Sequence, residues 1–328
     1  MLAVHNNSGT ILRERYRVTN IVGHGGMGHV YRAEDLRLPG RLCAVKSVPH
    51  DSTTTPEIQA QAQQQFLKEA SILAQLDHPN LPKVSDFFTE DDHDYLVMDF
   101  VPGMDLRQVL EETRAEGRLL EQDVVLKWAE QIIDALAYLH RQDPPVLHRD
   151  IKPSNIKLTP DSRIKLVDFG LVKLLAPDDV RTVTVLQGRG TLQYTPLEQY
   201  GGQDSHTDAR TDIYALGATL YYLLTDYPPP DAKARFLNPN ILKPPHQING
   251  RISRKVSEAI MWAMEMHPDD RPSDVSQFRE VLLGQLSRPS ARSEESSASD
   301  FSNALRAHWV PALIALVLFV LAVALTVL

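Results

Sequence analysis

Four polar side chains stand at fixed offsets, each near apolar residues, inside the stretch VLHRDIKPSNIKLTPDSRIKLVDFG, which runs from Val146 to Gly170. Asp150 follows His148 and Arg149, Lys152 and Asn155 come soon after, and Asp168 opens the triplet Asp168-Phe169-Gly170. Polar groups flanked by apolar residues in this way sit where short strands end, which lets a chain gather several charges around one point. Asp150 can take a proton and Lys152 can neutralise a phosphate. Asn155 with Asp168 can hold a hard divalent cation through oxygen atoms. The combination is that of a phosphoryl-transfer centre.

Other elements must bring a phosphorylated ligand to these groups. Two β-type runs, Tyr16–Val22 and Val30–Ala33, flank glycines at Gly23, Gly25, Gly26 and Gly28. Glycine lets the backbone approach phosphate oxygens and turn N–H groups toward them. Val30 is then either an apolar lid on a flat base or a core residue. Arg41–Val48 reads as a strand from which Lys46 emerges among apolar neighbours, and Gln59–Leu76 as a helix with Phe66, Ala70, Leu73 and Leu76 on one stripe. Glu69 lies beside that stripe, and an inward turn would pair it with Lys46 and hold the lysine head at the α- and β-phosphates. Strands follow at Val84–Thr89 and Tyr95–Phe100, and Pro102-Gly103 marks the change of direction between two lobes. Met98 either lines the back of a base-binding slot or is plain core, and the backbone of Asp99 and Val101 is expected to hydrogen-bond the base. A long helix over Asp123–Arg141 carries Val124, Trp128, Ile132, Ala135, Leu136 and Leu139 at three- and four-residue steps. Asp212–Leu224 reads as a buried helix, and Val256–Met266 and Ser273–Leu283 as further helical stretches.

Composition narrows the class. The chain has 328 residues, of which 43% are hydrophobic and 23% charged, with room for two lobes with real cores. Its net charge of -8 argues against a partner bound through a bulk positive field, so no nucleic-acid partner is expected. Cys43 is the only cysteine, which excludes an intrachain disulfide and a cysteine-based metal site and suits a reducing compartment. The N-terminal stretch does not read as a secretory signal. At the other end, Trp309–Leu328 is an uncharged apolar run that as a helix spans about 30 Å, the thickness of bilayer hydrocarbon. Its unbroken apolar length and lack of a polar face favour a single transmembrane helix over a buried C-terminal helix. Residues 285–308 carry seven serines and mixed charge, a tether reaching roughly 27 Å as a random coil. The expected organisation is a flexible segment over 1–15, a folded domain over 16–284 with lobes 16–101 and 102–284, the tether, and a membrane helix over 309–328.

In their order along the chain these motifs resemble the eukaryotic-like protein kinases, and among them the bacterial membrane-anchored serine/threonine kinases. Gly23, Gly25, Gly28 and Val30 match GxGxxGxV, and Cys43-Ala44-Val45-Lys46 stands where the family has VAIK. Glu69 matches the helix glutamate, His148-Arg149-Asp150 the catalytic loop and Asp168-Phe169-Gly170 the metal loop. The resemblance implies an α+β bilobal fold, with a small β-rich N-lobe holding one main helix and a larger helical C-lobe. It implies ATP as phosphoryl donor and Mg²⁺, with Mn²⁺ as an alternative, held by Asn155 and Asp168. Ala44 and Lys46 then belong to the nucleotide site, Asp150 aligns the substrate hydroxyl or accepts its proton, and Lys152 stabilises the γ-phosphoryl group. Thr191 in GTLQY would support the substrate segment. Glu198 and Arg271 would form a buried ion pair anchoring the activation segment, and Asp212 would steady the catalytic loop. Arg149 beside the catalytic aspartate implies activation by a phosphate on Thr182 or Thr184. One departure is Thr195-Pro196-Leu197-Glu198, whose proline falls one place earlier than in the family's Ala-Pro-Glu.

The implied partners are proteins bearing Ser or Thr hydroxyls, a second copy of the chain for phosphorylation in trans, and a lipid bilayer. The catalytic portion would face the cytoplasm from a single-pass anchor in the cell membrane. The competing expectation is a catalytically impaired scaffold of the same fold that binds nucleotide and a partner. Loss of Lys46, Asp150 or Asp168 would mark it, and all are present.

Overall fold

Among the described residues six strands build the first lobe. They are β1 (Ile11–Leu12), β2 (Tyr16–Gly25), β3 (Gly28–Asp35), β4 (Leu42–Pro49), β5 (Val84–Glu90) and β6 (His93–Asp99). Burial alternates along β4 and is continuous through the middle of β6. They form one antiparallel sheet in the order β1-β2-β3-β4-β6-β5. On β4, Cys43 and Val45 enter a buried cluster with Tyr16, Val18, Tyr31, Ala33 and Val97. Ala44 and Lys46 therefore leave by the opposite face, where register sets Val30 against Lys46 and Arg32 against Ala44. The protein is seen here as a computed structural model that describes residues 9–25, 28–51, 53–168, 192–200 and 207–288. Thr182, Thr184, Thr191, Phe169, Gly170 and the apolar run 309–328 lie outside them, and among the described residues no helix is long and apolar enough to cross a membrane.

The ordered sheet begins before Tyr16, where a loose segment was expected. Gly9 N–H donates to Val18 O at 2.8 Å and β1 pairs with β2. Arg15 holds the buried Asp35 carboxylate with both Nε and Nη2, at 2.9 and 2.8 Å. Two residues of strand are too short a pattern to be read in sequence, and these ion pairs join residues far apart in it.

The helix α1 (Pro56–Gln75) starts three residues earlier than its apolar stripe suggests. Thr55 caps it and Pro56 occupies the first turn, where a missing N–H costs nothing. Phe66, Ala70 and Leu73 are buried on the expected stripe, with Glu69 as its one charged buried member. The loop after α1 is stitched to the second lobe. Asn80 Nδ2 donates to Ile164 O at 2.7 Å and to Gln131 Oε1 at 3.2 Å, and Asn80 O accepts from Leu166 N at 2.8 Å.

The second lobe is helical. Its elements are α2 (Leu106–Ala115), α3 (Gln122–His140), α4 (Ala209–Thr225), α5 (Ala232–Leu237), α6 (Pro245–Ile248), α7 (Arg254–Ala263) and α8 (Val275–Leu282). A small sheet, β7 (Met104–Asp105), β8 (Ile156–Leu158) and β9 (Ile164–Leu166), lies in the order β7-β8-β9. On α3 the stripe from Trp128 to Leu139 is buried as expected, but at its start Val125 is buried and Val124 is 39% exposed. The 3.6-residue period carries the seam from Ala129 and Ile132 back to Val125, not to its neighbour. α4 is buried on every face from Thr211 to Tyr221, so it is a central post and not an amphipathic cover.

Glu69 is 7% exposed, and burial pushes its carboxyl up to about 7 despite a hydrogen bond from Gln65. An unfolded glutamate releases its proton near about 4.3. The folded state thus binds an extra proton between these values, and the stability it confers is lost as pH rises through the folded pKa. Glu69→Gln is expected to leave the melting temperature nearly unchanged at about pH 5 and to raise it at about pH 8, by roughly 1–3 kcal/mol of stability. Thermal melts across that range check this, and an equal difference at both ends would contradict it.

Candidate active site

The loop carrying Asp150 is shaped by a carboxylate beneath it. Asp212, on α4, is fully buried and accepts from His148 N at 2.9 Å and from Arg149 N at 2.8 Å. His140 Nε2, from the last turn of α3, lies 2.8 Å from the same carboxylate. Burial alone would push the Asp212 carboxyl up, but the His140 hydrogen bond, the nearby His140 and His148 charges and the backbone N–H of His148 together hold it below the usual carboxylate range. Arg149 sits at φ 62, a left-handed backbone conformation that costs energy for a side chain with a Cβ. The Asp212 hydrogen bond to Arg149 N–H fixes that bend and turns the next residue outward.

Asp150 Oδ2 accepts from Lys152 Nζ at 2.8 Å and from Asn155 Nδ2 at 2.8 Å, and Asn155 Nδ2 also reaches Asp150 O at 2.9 Å. With its nitrogen aimed at two oxygens, the Asn155 amide turns its Oδ1 away from Asp150, and that oxygen is the atom suited to a cation. Val167 N donates to Asn155 O at 2.9 Å, which brings Asp168 alongside Asn155. Asp168 is itself at φ 63, a second left-handed residue at the site. Its Oδ1 is in contact with Lys46 Nζ across the gap between the lobes. One amide oxygen and one carboxylate fit a magnesium-type ion, which takes few protein ligands and completes its shell with phosphate and water. Among the described residues no group of three or more His, Cys, Asp or Glu forms a fuller metal cage.

The pairing expected between Lys46 and Glu69 is not formed. Lys46 is held by Asp168, whereas Glu69 accepts from Gln65 Nε2 at 2.7 Å, one turn earlier on its own helix. Its buried carboxyl is favoured in the neutral form, and the charges that counter this are Arg149 and Lys68. Lys46 and Glu69 are thus each held by a different partner, one across the gap between the lobes and one within α1.

The remaining expected residues fall around the same gap. β2 and β3 form the glycine hairpin, with Gly23 opposite Val30 and Gly25 opposite Gly28. A Cβ on Gly28 would lie 1.8 Å from Ser47 O, so only glycine fits this approach to β4. Val30 and Ala44 flank Lys46 in the sheet register, and Met98 pairs with Ala44 and is buried in the main core. Asp99 N–H is taken by Lys83 O at 3.0 Å, so its carbonyl is what remains for a base. Among the described residues the N–H of Val101 has no backbone acceptor.

Below the loop, Glu198 and Arg271 form a two-pronged pair at 2.6 and 3.1 Å. The Arg271 side chain is fully buried and also donates to Glu265 O at 2.7 Å and Met266 O at 2.9 Å. Thr211 Oγ1 adds a bond to Glu198 at 3.2 Å. The early proline is accommodated by a short helical turn, Leu197–Tyr200, with Glu198 in it. Arg149 Nη2 lies 3.4 Å from Thr207 Oγ1. Sequence reading missed His140, Gln65, Asn80 and Gln131. A histidine closing an apolar helix carries no mark of its bond to an aspartate 72 residues away.

Comparison with known proteins agrees with this geometry. Residues 16–283 match the family model for the protein kinase domain. Serine/threonine-protein kinase PrkC of Bacillus subtilis is 36% identical over 67% of this chain and 32% of its own length. Serine/threonine-protein kinase pkn3 of Myxococcus xanthus is 32% identical over 84% of this chain and 50% of its own. The chain thus spans half or less of the length of these relatives. Among solved structures, PpkA-294 in its apo form superposes with a TM-score of 0.67 at 25% identity, covering 84% of this chain and 98% of that one. The PknI kinase domain of Mycobacterium tuberculosis gives 0.63 at 25% identity, with 87% and 100% covered. With its two lobes, its Lys46–Asp168 contact and its buried Asp212 under the His-Arg-Asp loop, the chain belongs to the protein kinase family.

Proposed function

We propose that this chain is a serine/threonine protein kinase that transfers the γ-phosphoryl group of ATP to protein hydroxyls. The observation that carries the reading is the Asp150 carboxylate held by Lys152 and Asn155, each at 2.8 Å, beside an Asp168 that meets Lys46 from the other lobe. In this reading Asp150 orients the attacking hydroxyl and accepts its proton. Lys152, already beside Asp150, stabilises the charge that spreads over the transferred group. Lys46 binds the α- and β-phosphates, the backbone around Gly23, Gly25 and Gly28 covers them, and Asp99 O and Val101 N–H engage the base under Val30 and Ala44. Magnesium held by Asn155 and Asp168, when bound, supplies neutralisation of phosphate charge. Glu69 takes up Lys46 when α1 moves inward, and the present Gln65-bonded arrangement is a resting one.

Regulation is proposed through Thr182 and Thr184, with a phosphate there recruiting Arg149, and Thr191 supports the substrate segment. Incubation with labelled ATP and a generic basic protein is expected to label the substrate. Asp150→Asn should lower that rate by about 10²–10⁴-fold without unfolding the protein. Mass mapping of the same samples should find phosphate on Thr182 or Thr184 in the wild type only. Equal labelling by both proteins would remove the enzymatic reading, and active enzyme unmodified at both threonines would remove the regulatory one.

The apolar run 309–328 is proposed as a single-pass membrane anchor with the kinase domain on the cytoplasmic side, because ATP and magnesium are intracellular. Expressed whole, the protein should sediment with membranes and resist extraction by carbonate, and removal of residues 309–328 should release it. Release of the whole chain by carbonate would contradict the anchor.

A further inference from the structure

The small sheet of the second lobe has one face in the core and one face turned toward the first lobe. Ile156, Ile164 and Leu166 enter the core, with Leu158 packed against it. Lys157 and Lys165 therefore leave by the opposite face, and register sets them directly across from each other. Like charges in that position repel. The two ammonium groups diverge accordingly. Lys165 Nζ donates to Leu81 O at 3.0 Å, and Lys157 Nζ donates to Gly103 O at 3.1 Å. Leu81 lies in the first-lobe loop after α1 that is bonded to the second lobe, and Gly103 in the connection between the lobes, so this face looks into the gap that holds Lys46 and Asp168.

Lys157 has no carboxylate to neutralise it among the described residues. Asp105, its neighbour across β7, uses its carboxylate to cap α2 by accepting from Gln108 N at 2.9 Å. The turn that binds the ammonium is fixed in place. Gly103 is at φ 104, and a Cβ there would lie 2.1 Å from Leu158 O, so this turn is pressed onto β8. Along the chain, Lys157 is two residues past Asn155 at the proposed metal end. Its ammonium is anchored two residues past Val101 at the proposed base end. Between a base and its phosphates lies the sugar.

We propose that Lys157 is a nucleotide-binding residue whose methylene stem floors the base and whose ammonium, tethered at Gly103 O, donates to the ribose hydroxyls. This rests on the ATP-dependent reading given above. An ammonium has three N–H donors, and one serves Gly103. The others suit a vicinal diol, which presents two adjacent oxygens. An apolar residue here would provide the same floor without a group for the sugar, so the lysine adds discrimination and not only contact area.

The test is equilibrium binding of ATP and of 2′,3′-dideoxy-ATP, each with magnesium, to the whole chain as wild type, Lys157→Met and Lys157→Ala, with a thermal melt of each. Lys157→Met keeps the stem and removes the charge. It should weaken ATP binding about three- to tenfold and leave dideoxy-ATP binding within about twofold, with an unchanged melt. Lys157→Ala should weaken both nucleotides, because the floor is lost as well. If Lys157→Met shifts both nucleotides equally, or neither, the assignment to the sugar is overturned while the kinase reading stands. If the wild type binds neither nucleotide, both fall together.

Discussion

A single buried carboxylate organises the reactive end of this protein. Asp212 is removed from solvent, and an ionised group there is tolerable only when its oxygens are fully hydrogen-bonded. It meets that need with two backbone N–H groups of the loop before Asp150 and the ring of His140. The loop cannot relax without leaving the charge unpaired, so the left-handed bend at Arg149 persists. Strain at the site is thus balanced by electrostatics in the core, and the Asp150 carboxylate is presented to the interlobe gap as a consequence.

The rest of the molecule fixes what faces that carboxylate. β4 delivers Lys46 to the gap because its alternate residues, Cys43 and Val45, are fully buried in the upper core. β9 delivers Asp168, and Asn80 in the loop after α1 bonds to Ile164 and Leu166 of β9 and to Gln131 of α3, so the end of the helix that carries Glu69 is anchored to the second lobe. The Glu198–Arg271 pair anchors the segment below the loop from the other side. Its guanidinium is satisfied by carbonyls as well as by the carboxylate, which makes the pair a fixed post and not a surface contact of small value. In this structure Lys46 is bonded to Asp168 across the gap and Glu69 accepts from Gln65 within its own helix.

Much of this was legible in the sequence because it is encoded locally. The apolar stripes of α1 and α3, the alternation of β4 and the Asp150, Lys152 and Asn155 spacing each lie within one element, where period and spacing determine which side chains share a face. The Glu198–Arg271 and Asp212 contacts join distant segments, and only resemblance to a family pointed to them. What escaped was non-local or depended on burial. β1 is two residues long and holds through its partner strand. Val125 displaced Val124 because one step of helical phase is invisible when both residues are valine. The Lys46–Glu69 pair is absent because each side chain has another partner, Asp168 for Lys46 and Gln65 for Glu69, and neither contact is marked in the sequence. His140 and Lys157 acquire meaning only from what the fold sets beside them.

The central claim is that Asp212 acts on the chemistry through the backbone of the catalytic loop and not through the nucleotide. Steady-state kinetics of Asp212→Asn, whose side chain has the same shape without the charge, tests this directly in a variant shown by its melt to be folded. The account predicts a kcat lowered by about ten- to a hundredfold with the KM for ATP within about twofold of the wild type. An unchanged kcat, or a loss carried entirely by the KM for ATP, would contradict it.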